Sequence, residues 1–171
     1  LIILSFFLQA AIVPFHAWAP DAYEGASVPV TAYMATIIKA GVLLAVVRLF
    51  GNAIVSSPML GLLAVLPLVS IVWGNLAAMR QQSYRRMIAY SSIAHAGYLF
   101  YAMLGDPAGR LQAVAFYVLA YGLLNLLAFA ALPAAADDRE RDRLDNLKGL
   151  FQRAPFAALM IGIAMLSLAG I

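Results

Sequence analysis

The stretch VPVTAYMATIIKAGVLLAVVRLF, residues 28–50, decides how this chain folds. It is apolar and long enough to cross a bilayer as one helix, which takes about 20 such residues at a rise of about 1.5 Å each. Lys39 sits in its middle, roughly 16 Å along the axis by that rise, and so near the bilayer midplane. An ammonium there costs about 2.5–3.5 kcal/mol on insertion scales. A side chain that reaches about 6 Å does not snorkel back to the interface from such a depth. A chain keeps the group where it faces protein or water, and moving charge is its usual work.

The rest of the composition agrees with a membrane solvent. Hydrophobic residues make up 64% of the chain and charged ones 11%, more apolar surface than a soluble domain hides. The mean hydropathy is +0.89. With no cysteine, disulfide frameworks, iron–sulfur ligation and thiol chemistry are excluded. The net charge of +3 is no nucleic-acid signature, because the basic residues cluster in loops as a membrane topology requires. The chain starts inside an apolar run without Met and stops without a polar tail, so an internal fragment is expected. The first run lacks a basic n-region and leads into Pro14, unlike a signal peptide.

Hydropathy predicts an all-α, polytopic transmembrane helix bundle with about six segments: residues 1–22 (broken), 28–50, 58–79, 87–104, 111–132 and 155–171. Pro14 and Pro20 break the first, since proline removes a backbone donor and disfavours helix at the residue before it. Arg80, Arg85 and Arg86 lie in the connection 80–86. Arg139, Arg141, Arg143, Lys148 and Arg153 lie in the connection 134–153. The opposite side has only Arg48 and Arg110 at helix ends, so the richer side is expected to be cytoplasmic. The turn Pro20 to Gly25 falls on that side too. In the long connection, Asp137 is a candidate helix cap, and Leu144, Leu147 and Phe151 recur at helical spacing. Asp and Arg alternate on the other face, which reads as a surface helix along the membrane boundary.

Other polar groups join Lys39 within the membrane. Desolvation and a neighbouring carboxylate pull a lysine's proton affinity in opposite directions, so a moving partner can load and unload it. His95 lies roughly 12 Å into the fourth segment, with Ser91, Ser92 and Tyr98 at i−4, i−3 and i+3 on one face. A neutral imidazole carries one donor and one acceptor and can pass a proton between two partners, or simply join two helices. Tyr117, Tyr121 and Asn125 recur every four residues, a pattern that suits a hydrated channel wall and interhelical hydrogen bonding alike. His16 follows the proline break, where a broken membrane helix exposes polar backbone to an ion path. Gln9 can orient water but cannot carry charge. Asp21 and Glu24 read as capping or solvated groups. Phosphate loops, metal-ligand clusters and nucleophile–base pairs are absent from the sequence.

Two long stretches carry a family resemblance. Pro14-Phe15-His16-Ala17-Trp18-Ala19-Pro20-Asp21-Ala22-Tyr23-Glu24-Gly25-Ala26, followed by Pro29-Val30 and Lys39-Ala40, resembles the antiporter-like membrane subunits of respiratory complex I. So does Arg85-Arg86-Met87-Ile88-Ala89-Tyr90-Ser91-Ser92-Ile93-Ala94-His95-Ala96-Gly97-Tyr98. The closing Leu166-Ser167-Leu168-Ala169-Gly170-Ile171 is similar to the same family just ahead of a Pro-Pro pair. The Asp-Ala-Tyr-Glu-Gly wording and Lys39 look most like the subunit N branch of NADH–quinone oxidoreductase. The resemblance implies a bundle of the antiporter-like type, built from inverted five-helix repeats, of which residues 1–171 supply about one repeat and the segment after it.

By that resemblance Lys39 is the central lysine of a proton channel, His16 matches the histidine of the broken segment, and His95 joins them as a relay. Gln9, Ser91, Ser92, Tyr98, Tyr117, Tyr121 and Asn125 are candidate channel-lining residues. The chain departs from the family at Gln9, where subunit N carries a lysine; this points to a shortened relay or altered coupling. The resemblance further implies a non-redox subunit that holds no cofactor and no catalytic centre. NADH, FMN, iron–sulfur clusters and quinone belong elsewhere in the complex. Expected partners are membrane-arm subunits of the M, K and L types and the lipid bilayer, not nucleic acid. The expected site is a bacterial inner (plasma) membrane. Rival expectations are a multi-subunit sodium/proton antiporter or membrane-bound hydrogenase subunit of the same fold, and a non-conducting scaffold subunit.

Overall fold

The broken first segment shows how sequence sets local structure here. The computed structural model describes residues 1–50, 57–105, 107–135 and 142–169. Helix α1, Ile2–Ala10, ends where Ala11 turns left-handed at φ 62°, and the Ala11 and Ile12 amides bond back to the Leu8 and Phe7 carbonyls. Pro14 cannot donate, and its bond to Val13 is cis. The Val13 amide instead donates to Ser70 Oγ at 2.8 Å. The Trp18 indole donates to Leu8 O at 3.0 Å. Helix α2, Trp18–Gly25, then leads to residues 28–50.

Residues 28–50 form one continuous rod that changes pitch on the way: α3 Val28–Tyr33, a π-helical turn Met34–Ile38, and α4 Lys39–Phe50. Thr36 Oγ1 donates to the Ala32 carbonyl at 2.7 Å, a back-bond that competes with the helix ladder. The π turn ends on the residue before Lys39 and so sets the direction in which that side chain leaves the rod.

Two glycines allow the tightest helix pair. Helix α5, Ser57–Ala78, packs most extensively on α6, Tyr84–Tyr101. A Cβ on Gly97 would stand 2.7 Å from Pro67 O, and one on Gly74 would stand 2.8 Å from Tyr90 O. Small residues at these crossings let the backbones touch, as membrane helix pairs require. Gly97→Ala is therefore expected to lower stability by about 1–3 kcal/mol, read as a lower Tm of the detergent-solubilised protein. Gly41→Ala, whose Cβ would meet nothing within 4 Å, is the contrast. Equal losses from both would remove the close crossing as the reason for Gly97.

A 3-10 turn, Ala102–Leu104, follows α6, and then come α7, Pro107–Ala135, a second 3-10 turn, Leu144–Leu147, α8, Leu150–Arg153, and α9, Pro155–Leu168. Val28–Phe50, Gly61–Ala78 and Ala108–Leu132 are long and apolar enough to cross a membrane by length and composition. The expected segment 87–104 is divided between α6 and its 3-10 turn. The expected segment 1–22 holds the 9-residue α1 and the start of the 8-residue α2, which runs on to Gly25, and the expected segment 155–171 holds the 14-residue α9.

The connection 134–153 differs from the expected surface helix. Gly149, at φ 72°, separates the 3-10 turn from α8, so no continuous helix forms. Phe151 is exposed and Leu150 is buried in its place. Asp142 is buried rather than part of a solvated face, because it pairs with Arg85. The candidate cap Asp137, Arg139, Arg141 and the last two residues lie outside the described residues. Lys148 bonds to Asp145 at 2.8 Å and holds that carboxyl below its usual range; both are solvent-exposed, so the pair adds little stability.

Charged segments expected on one side do meet. Arg85 Nη1 donates to Ala26 O at 2.6 Å, and Leu144 N donates to Gln82 O at 2.9 Å. The turn after α2, the connection 80–86 and the 3-10 turn at 144–147 therefore share one end of the bundle.

Candidate proton site around Lys39 and His95

Helix α4 delivers Lys39 into protein, where it is 4% exposed. Its ammonium donates to Ser92 O at 2.7 Å and to Ser92 Oγ. Among the described residues these are its hydrogen bonds, and both acceptors are neutral. The carboxylates near this end point elsewhere: Asp21 and Glu24, expected as capping or solvated groups, both bind Arg86 Nη1, at 2.8 and 2.9 Å. Arg86 draws them from α2 onto the start of α6, and Arg85 takes Asp142.

Ser92 has a second partner, the Tyr23 hydroxyl at 3.4 Å. Tyr23 is fully buried, and Thr31 Oγ1 donates to its carbonyl at 3.0 Å. In the sequence Tyr23 stands out only as part of a motif. Its position in a turn rich in charges gave no sign that it faces inward.

One turn further along α6, His95 joins two other helices. Its Nδ1 is 2.5 Å from the Tyr117 hydroxyl of α7, and its Nε2 is 3.1 Å from the carbonyl of Leu168 at the end of α9. A carbonyl only accepts, so Nε2 carries the proton and Nδ1 accepts from Tyr117 in the neutral ring. His95 thereby satisfies one of the carbonyls left open at a helix C-terminus. Tyr121 packs its ring 4.9 Å from His95 and stacks on Tyr117 at 6.5 Å. The buried Tyr121 hydroxyl lies close to Ser92 and Asn125 without a well-oriented bond to either. Asn125 donates to Tyr121 O at 2.8 Å, and its Oδ1 is likewise buried without a partner. Two orphaned oxygens, on Tyr121 and Asn125, thus lie beside the His95 group, where buried polar atoms call for a partner.

The structure therefore brings Lys39, Ser92, His95, Tyr117, Tyr121 and Asn125 together. Tyr98 contacts the His95 ring edge-on at 5.8 Å and is half exposed. Ser91, a neighbour of Ser92 on α6, is partly buried and takes no part in these bonds. His16 forms a separate contact: its Nε2 accepts from the Trp73 indole at 3.0 Å, which leaves the proton on a buried Nδ1 with no partner. Gln9 is exposed on α1 and makes none of the bonds that link Lys39, Ser92 and His95. An open cleft of about 530 Å³ reaches the His95 group, lined by Asn75, Tyr98, Tyr117 and Ser167 among others. Asn75 was missed in the sequence, although it interrupts an apolar run, the signal that drew attention to Lys39.

The stretches Asp21 to Ala26, Arg85 to Tyr98 and Leu166 to Ala169 all converge on this site. A family model described as NADH:quinone oxidoreductase/Mrp antiporter, transmembrane, matches residues 1–171. The chain belongs to this antiporter family. It is 42% identical over 171 residues to NADH-quinone oxidoreductase subunit N of Pelobacter propionicus, covering 100% of this chain and 36% of the relative. Subunit N of Methylococcus capsulatus is 44% identical over 180 residues, with coverage of 100% and 36%.

Solved structures give the same fold. A chain of respiratory complex I from Thermus thermophilus, with bound aureothin, superposes with a TM-score of 0.85 at 41% identity, covering 99% of this chain and 37% of that one. A chain of the membrane-bound sulfane sulfur reductase, an archaeal respiratory membrane complex, superposes at 0.88 with 28% identity, covering 99% and 36%. The chain spans about 36% of the length of these relatives. As a member of the antiporter family with three membrane-length apolar helices among the described residues, it is an integral membrane protein.

Proposed function

We propose that this chain is part of a proton-translocating membrane-arm subunit, of the subunit N type, in a complex that couples electron transfer from NADH to quinone to proton movement. The observation that carries this reading is a lysine 4% exposed inside a membrane-length helix, held by the neutral oxygens of Ser92. The chain itself works without redox groups; NADH, FMN, iron–sulfur clusters and quinone serve in other subunits. Neighbouring membrane subunits of the M, K and L types flank it in a bacterial inner membrane, with connections 80–86 and 134–153 on the cytoplasmic side.

A field change from quinone chemistry elsewhere in the complex shifts the balance at Lys39, which then gives up or takes a proton. Water held by the Tyr121 hydroxyl and Asn125 Oδ1 would join the Lys39–Ser92 contact to His95, since those two oxygens are polar, buried and open to a partner. His95 can then take a proton at Nδ1 and release one at Nε2. His16 stands apart on Trp73 and would act, if in the same path, through further groups.

The sodium/proton antiporter reading keeps support from the family description, which takes in Mrp antiporters, and a subunit of a different redox complex keeps support from the superposition on the sulfane sulfur reductase. Ion dependence separates them. Vesicles holding the intact complex should acidify on NADH addition in sodium-free buffer. His95→Gln should move fewer protons per NADH oxidised, with the path through this chain slowed about tenfold or more. Acidification that requires sodium, or a His95→Gln complex with wild-type stoichiometry, would count against the proton reading.

A further inference from the structure

Tyr23 touches both helices that make the Lys39 contact. Its hydroxyl reaches Ser92 Oγ on α6 at 3.4 Å, the same oxygen to which Lys39 donates. Its main-chain carbonyl accepts from Thr31 Oγ1 at 3.0 Å, on the rod that carries Lys39 two turns later. Thr31 is fully buried and also holds Ser27 O at 3.1 Å, so the start of that rod is fixed to the end of α2. The other end of the link lies at the surface. On either side of Tyr23, Asp21 and Glu24 grip Arg86, six residues before Ser92 on α6. One buried side chain thus connects a cluster of surface charges to the acceptor of a buried amine.

A serine hydroxyl has one proton and two lone pairs. With Lys39 charged, Ser92 Oγ accepts from the ammonium; with Lys39 neutral, the hydroxyl can turn and donate to the amine. The Tyr23 hydroxyl is the group placed to favour one orientation over the other.

We propose that Tyr23 is a positioning residue for Lys39: it sets the Ser92 hydroxyl and, through the Asp21–Glu24–Arg86 cluster, ties the lysine site to the charged end of the bundle. This inference rests on the proton-translocation reading above. Tyr23→Phe keeps the ring, which packs among Tyr84, Ile88 and Phe129, and removes only the hydroxyl. Tyr84→Phe is the matched control, because Tyr84 is equally buried in that cluster but its hydroxyl donates to Ala128 O at 3.4 Å.

The test counts protons per NADH oxidised, as a function of pH, in vesicles holding the intact complex. Tyr23→Phe should assemble, should oxidise NADH, and should displace the pH at half-maximal pumping by about half a unit or more, the effect of one net hydrogen bond. Tyr84→Phe should leave that profile in place. In a Lys39→Met background, Tyr23→Phe should have no further effect, since it acts through the lysine. A Tyr23→Phe profile identical to wild type, or a displacement matched by Tyr84→Phe, overturns the inference while leaving the proton reading intact. A Lys39→Met complex that pumps at the wild-type ratio overturns the reading itself and the inference with it.

Discussion

Replacing Arg85 with alanine is expected to lower stability by about 3–5 kcal/mol and to leave little of the protein assembled in the membrane. The Arg85 and Asp142 side chains are only 7% and 9% exposed, and they meet through a charge-assisted hydrogen bond. Arg85 Nη1 also donates to Ala26 O at 2.6 Å, so the same side chain holds the turn after α2. Its loss strands the Asp142 carboxylate in a nearly dry setting and frees a carbonyl at the same time. Arg86, next in sequence, provides the contrast. Its partners Asp21 and Glu24 are 74% and 42% exposed, where water screens the attraction, so Arg86→Ala should cost about 1 kcal/mol or less. The two variants can be compared by the amount of assembled protein and its Tm in detergent. Combining Arg85→Ala with Asp142→Leu should recover much of the loss, since both charges are then gone. If the two arginine variants behave alike, the buried pair does not hold this end of the bundle.

The helices, and the gathering of the charged segments on one side of the bundle, were legible in the sequence, because both follow from local composition. The run 28–50 forms a rod, Pro14 marks a break, and the segments around Asp21, Arg85 and Asp142 gather at one end. Lys39 was legible for a related reason: a lone ammonium among apolar neighbours has to face protein. What the sequence did not reveal depends on helix rotation, and a shift of one residue turns a side chain by about 100°. The π turn at Met34–Ile38 alters that rotation just before Lys39, and no hydrophobic pattern announces it. The choice of Arg86 over solvent by Asp21 and Glu24, and of Arg85 by Asp142, is likewise a tertiary outcome. In the connection 134–153 the helical spacing of Leu144, Leu147 and Phe151 was real as a pattern. Gly149 in a left-handed conformation cut it, and Leu150 took the buried place. Polar spacing on α7 correctly placed Tyr117, Tyr121 and Asn125 on one face. That His95 would reach Tyr117 and the end of α9 required the packing itself.

Lys39→Met is the substitution with the largest expected effect on function. Methionine matches the length of the lysine stem and removes the charge, so the rod should insert at least as readily and the protein should assemble. The Ser92 oxygens lose the ammonium that donates to them, and the path through this chain loses its buried lysine. General acid–base groups contribute about 10²–10⁴-fold, so proton movement through this chain should fall about a hundredfold or more. The most direct measurement is the number of protons taken up per NADH oxidised by vesicles that hold the intact complex, with wild type and Lys39→Met at matched amounts of assembled protein. A lower proton count per NADH in the variant is the result predicted here. A wild-type count at a wild-type rate of NADH oxidation would contradict it and leave the chain as a non-conducting part of the membrane arm.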